Sequence, residues 1–209
     1  MNRTPHLILG TFLVFLLSWL GVVVYSNNAL GHLEAKVDDA SGAMAPPTVS
    51  GLAMMGQRVY AANGCVYCHT QQVRPAHLSS DIEKKLGSRR TVARDYLREQ
   101  PAFTGTLRIG PDLSNYGLRA PAVGEIHRKL YEPSQVMPGT VMPSFRPLYR
   151  LKKISGQPSA EAVAGLTGPH APPEGFEVIP TEEAKVLVAY LLSLKRDYPL
   201  PEAPPEPAK

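Results

Sequence analysis

The stretch Cys65-Val66-Tyr67-Cys68-His69 constrains this chain more than any other. Two cysteines three positions apart, followed at once by a histidine, form the C-x-x-C-H pattern of covalent haem attachment. On one helical turn the two thiols can form thioethers with the vinyl groups of one porphyrin, and the adjacent imidazole is then carried under the iron. Other uses of these residues fit less well. A thioredoxin-like dithiol wants a strand–helix setting, which the surrounding sequence does not suggest. A structural zinc site wants four ligands, and the chain has 2 cysteines. A disulfide is permitted in an exported chain but gives His69 no role. The expectation is one covalent haem c held by Cys65, Cys68 and His69, with His69 as the proximal iron ligand.

A sixth iron ligand must come from elsewhere, and thioether sulfur suits electron-transfer haems. Met137 and Met142 both lie in Val136-Met137-Pro138-Gly139-Thr140-Val141-Met142-Pro143, each followed by a proline that stiffens the loop. Spacing does not separate them. Met54 and Met55 fall on a predicted helix and Met44 in a linking segment. In Gly110-Pro111-Asp112-Leu113, a turn that says little alone, the Pro111 carbonyl is a candidate to accept the Nδ1 proton of His69 and fix the ring. Arg108 and Arg119 flank this turn and are candidates to neutralise haem propionates. The basic residues Lys84, Lys85, Arg89, Arg90, Arg94 and Arg98 are diluted by Asp81, Glu83, Asp95 and Glu99, so they read as a solvated helix face. His77 and His170 have no evident second ligand.

Leu7–Tyr25 contains no charged residue. Nineteen residues at ~1.5 Å rise nearly match a hydrocarbon core of ~30 Å. Residues 1–31 are expected to anchor the chain in a membrane. A cleaved signal peptide, with Ala29-Leu30-Gly31 as the processing site, is the alternative, and the apolar run exceeds its usual length. Arg3 before the run, against Lys36 among acids after it, favours an N-terminus in the cytoplasm. Residues 32–50 read as a tether. Residues 51–198 form the main domain, with helices expected over Gly51–Ala62, Thr91–Glu99, Val123–Tyr131 and Glu182–Arg196. Gly56, Tyr60 and Tyr190 suggest a close helix crossing. Residues 199–209, with 5 prolines, should be extended or disordered. With 17 glycines and 21 prolines the domain should be mainly α and loop, without strands. A net charge of +4 of mixed sign gives nucleic-acid binding no support.

Three stretches together resemble the membrane-anchored mono-haem subunit (subunit II) of cbb-type, C-family haem–copper cytochrome c oxidases. They are Gly64–Pro75 with its Gln71-x-x-Arg74-Pro75, then Arg108–Leu113, then Val141–Phe145. His127 also fits the family pattern. The segment from Arg150 to Pro180 is longer than the pattern, an insertion at about 150–180. The resemblance implies a cytochrome c-like all-α haem domain with long loops, and it selects Met142 as the axial ligand. It implies a single-pass protein of the bacterial inner membrane with its haem domain in the periplasm. It further implies a non-catalytic subunit that takes electrons from a c-type cytochrome subunit or soluble cytochrome c. They would leave for the catalytic haem–copper subunit that reduces dioxygen to water. The small subunit of a nitric oxide reductase, and a haem-based sensor or peroxidase, are the alternatives.

Overall fold

The computed structural model describes residues 3–38 and 42–207; residues 1–2, 39–41 and 208–209, at the ends of the expected anchor and tail and inside the expected tether, lie outside it. Helices α1 (Thr4–Trp19) and α2 (Tyr25–Leu30), joined by a π-helical stretch over Leu20–Val24, make one continuous helix of 27 residues. None of its residues is buried. It is long and apolar enough to cross a membrane.

The rest of the fold rests on a helix crossing. Helix α3 (Gly51–Ala62) starts where the Ser50 hydroxyl accepts from the Ala53 N–H, and α7 (Glu182–Ser193) where Thr181 does the same for Ala184. The apolar stripe of α7 meets α3 through Tyr60 and Tyr190, whose rings lie edge to face 5.3 Å apart. Leu187, Leu191, Ile126, Leu130 and Leu113 extend this core. Short helices α4 (Tyr116–Arg119), α5 (Val123–Tyr131) and α6 (Pro133–Val136) close one side. Helix α7 ends three residues before the expected Arg196. Leu194, at ψ 89°, leaves the helical region, and the Arg196 N–H is taken by Asn115 Oδ1 at 2.7 Å. The helix expected over Thr91–Glu99 shrinks to a 3-10 turn at Ala93–Tyr96.

The absence of strands is corrected: helices dominate, but two small antiparallel sheets are present. Strand β3 (Tyr149–Lys153) pairs with β4 (Phe176–Pro180) over five residue pairs. The long segment between them folds back onto the pair, with Val163 buried and its N–H on the Val178 carbonyl at 2.8 Å. The solvated helix face is also corrected. Arg89 is 2% exposed and pairs with the buried Asp95 at 2.9 Å.

The linking segment is docked on the domain. Strands β1 (Lys36–Val37) and β2 (Met44–Ala45) form a hairpin. The Arg94 guanidinium donates to the Glu34 carbonyl and to the Glu202 carboxylate, while Arg98 donates to the Pro46 carbonyl at 3.1 Å. The tail joins this clasp: Leu200 and Ala203 are buried, and the Glu206 N–H donates to the Ser88 carbonyl at 2.8 Å. The Arg94 hydrogen bond holds the Glu202 carboxyl below its ordinary value. The clasp is therefore complete at neutral pH and is lost as pH falls through that lowered value. We predict that Glu202→Ala speeds amide exchange in the β1–β2 hairpin roughly tenfold, the scale of one partly exposed ion pair and its hydrogen bonds. Unchanged exchange would show that the clasp does not hold the hairpin.

Candidate cofactor site

Past Asn63 and Gly64 the chain leaves α3 and makes a 3-10 turn over Cys65–Tyr67, closed by the Cys68 and His69 N–H groups on the Cys65 carbonyl at 3.2 and 3.0 Å. This turn sets Cys65, Cys68 and His69 along one wall of a cleft of about 940 Å³, its open mouth included. The facing walls are the 109–113 turn, the loop carrying Met137 and Met142, and Leu187 and Leu191 of α7. Apolar residues predominate, as a large flat organic ligand requires.

The donor set fits a haem. His69 Nδ1 lies 2.8 Å from the Pro111 carbonyl oxygen. A proline carbonyl can only accept, so Nδ1 carries the proton and Nε2 keeps its lone pair free for a metal. Burial pushes the His69 pKa below its ordinary value, partly opposed by the Pro111 hydrogen bond, so the ring stays neutral. Both cysteines are free and half-buried. Burial pushes the Cys65 thiol up to about 11, the reverse of the acidic thiol that dithiol redox chemistry uses. Among the described residues no three His, Cys, Asp or Glu side chains converge as a metal cluster. The two thiols and the imidazole thus suit thioether bridges and one axial ligand.

Met137 and Met142 both reach the cleft. Met142 packs against the hydrophobic core, and its N–H donates to Thr140 Oγ1 at 3.2 Å. Met137 is 50% exposed at the mouth. Arg108 and Arg119 are not brought to the cleft lining. The Arg119 guanidinium donates to the Asp112 carbonyl and lies over the Tyr116 ring. Arg108 donates to Thr70 Oγ1 at 2.8 Å and to the Gln72 carbonyl at 2.6 Å, and it pairs with Asp81. His127 is buried away from this cleft, its Nδ1 3.0 Å from the Tyr149 hydroxyl. His170 lies against Arg146 and Glu132.

Several residues around the site make contacts that the sequence does not announce. Gln71, fully buried, donates to the Tyr190 hydroxyl at 2.9 Å and accepts from Arg196 Nη2 at 3.0 Å. Arg196 in turn pairs with Glu99, so the segment after His69 is bolted to the end of α7. Thr70 and Asp112 join the His69 and Pro111 segments. Nothing in the spacing of residues 70 and 112 links them, although each follows a motif residue directly.

The sequence matches the family model described as cytochrome C oxidase, mono-heme subunit/FixO over residues 6–167. No curated protein matches the chain.

Proposed function

The chain belongs to the cytochrome c oxidase mono-haem subunit/FixO family, and from that premise we propose that it is the electron-transfer subunit of a membrane terminal oxidase. Its haem c is bound covalently through Cys65 and Cys68. The observation that carries this proposal is the meeting of both thiols, the oriented His69 ring and Met142 in one apolar cleft. When bound there, haem would supply a one-electron ferric–ferrous couple, and His69 and Met142 would hold its iron so that dioxygen does not bind it. The protein's own work is to hold and shield. Cys65 and Cys68 fix the group, and Pro111 orients His69. Leu113, Leu187 and Leu191 exclude water, so that little reorganises as charge comes and goes.

Electrons arrive from a c-type cytochrome and leave for the haem–copper subunit, where dioxygen is reduced. The cytochrome c-like domain spans residues 51–198, with the N-terminus in the cytoplasm and this domain in the periplasm. Arg3, immediately before the apolar helix, supports that orientation. Anchoring raises the effective concentration of the domain at its partner.

The test uses full-length protein extracted from membranes. Acid–acetone treatment should leave the haem on the polypeptide. Met142→Ala should remove the methionine–iron absorption band and let the reduced protein bind carbon monoxide; Met137→Ala should do neither. A sensor or peroxidase predicts carbon monoxide binding by the unaltered protein. Extractable haem would sink covalent attachment, and an unchanged spectrum in Met142→Ala would sink the ligand assignment.

A further inference from the structure

We propose that Asp112 and Arg108 are a positioning pair of opposite charge that fixes His69 and sets the reduction potential of the group it ligates. The proposal rests on the haem reading above. Its basis is the way two chain segments are stapled together. One carries His69 and the other Pro111, whose carbonyl accepts the ring proton.

Asp112 is fully buried. Its Oδ2 accepts from the Thr70 hydroxyl at 2.5 Å and from the Gln72 N–H at 2.7 Å, and its Oδ1 from the Ser114 N–H at 2.9 Å. One side chain next to Pro111 therefore grips the first and third residues after His69. Two backbone bonds complete the join: Gly110 N–H to the Cys68 carbonyl at 2.9 Å, and Leu113 N–H to the Thr70 carbonyl at 2.8 Å. The His69–Pro111 distance is thereby fixed from both sides, which sets ring orientation and ligand basicity.

Arg108 supplies the opposite charge. Its guanidinium reaches Thr70 Oγ1 and the Gln72 carbonyl, lies 3.6 Å from Asp112 Oδ2 and pairs with Asp81, with its side chain 19% exposed. These contacts leave it beside the His69 segment as a counter-ion to two carboxylates. In a poorly solvated setting each of these charges acts on the couple with little screening. Ferric iron carries one more positive charge than ferrous. Asp112 therefore favours the ferric form and lowers the potential; Arg108 favours the ferrous form and raises it.

The opposite signs make the test. In full-length protein, Asp112→Asn should raise the midpoint potential and Arg108→Gln should lower it. Each shift should be about tenfold in the ferrous–ferric equilibrium constant, or ~59 mV for one electron. Arg108→Lys, which keeps the charge, should stay near the unaltered protein. A merely structural pair would move both variants the same way, together with loss of the methionine–iron band. Should Asp112→Asn not accumulate, Arg108→Gln against Arg108→Lys decides alone. Haem retained with shifts below twofold, or with both shifts in one direction, overturns the proposal. An unaltered chain that carries no haem overturns instead the functional reading on which it rests.

Discussion

Gly56→Ala should destabilise the protein by about 2 kcal/mol net, although alanine is the better helix former. In the middle of an exposed helix the exchange would gain up to ~1 kcal/mol. At Gly56 an added Cβ would lie 1.8 Å from the Val186 carbonyl oxygen and 2.7 Å from the Tyr190 Cβ. Neither neighbour is the free end of a flexible chain, so α3 and α7 must separate. Overpacking of this kind costs about 1–3 kcal/mol, occasionally more, and here it also weakens the Tyr60–Tyr190 contact behind the cleft. The net loss should lower the melting temperature by roughly 4–8 °C for a chain of this size. Gly124→Ala on α5 is the control. Its Cβ meets nothing within 4 Å, so it should be neutral or stabilising. Equal melting temperatures for the two variants would show that the crossing is not tight.

What was legible in the sequence was local. The helices over Gly51–Ala62 and Val123–Tyr131 have the expected bounds, because apolar spacing, and at the first of them the Ser50 cap, act within a few residues. Strands β3 and β4 were not legible. They are short, 22 residues apart, and only their pairing makes them strands. The same holds for the docked linking segment. Its polar residues have no period, and its partners Arg94, Arg98 and Glu202 lie far along the chain. Arg89 was misleading for a related reason. Acids interleaved with basic residues read as a solvated face, and only the folded chain shows Arg89 closed onto a buried Asp95.

The site divides along the same line. C-x-x-C-H is a chemical pattern whose parts are contiguous, so it names its own chemistry. The second motif turn is legible because a proximal His69 needs a carbonyl partner and Pro111 offers one. The role of Asp112 is not legible, since its neighbours Thr70 and Gln72 are about forty residues earlier in the chain. For the two arginines beside that turn the sequence suggests propionates, because a positive charge near a haem motif invites it. Their hydrogen bonds instead run to Thr70, Gln72, Asp81 and the Asp112 carbonyl. Charge alone does not say which anion a guanidinium will meet.

The largest effect expected at the site itself comes from Gly110→Ala. The His69 ring occupies the space that a Cβ would need: it would fall 2.2 Å from Cε1, 2.7 Å from Nδ1 and 2.8 Å from Nε2. Real Cβ atoms do not approach a ring this closely, and the ring cannot retreat while Nδ1 keeps its 2.8 Å bond to Pro111. Either that bond breaks or the turn moves away, and in both cases Nε2 leaves its position in the cleft. On the function proposed above, thioether attachment would depend on Cys65 and Cys68, so the variant should still carry haem after acid–acetone treatment. Its iron should nevertheless lose the His69 bond. The spectrum should change from a closed six-coordinate type to one with a vacant site, and the reduced protein should bind carbon monoxide. Leu107→Ala on the same segment, at a residue 57% exposed, should leave the spectrum unaltered. If Gly110→Ala keeps the spectrum of the unaltered protein, the ring seen against Gly110 is not the one that ligates iron.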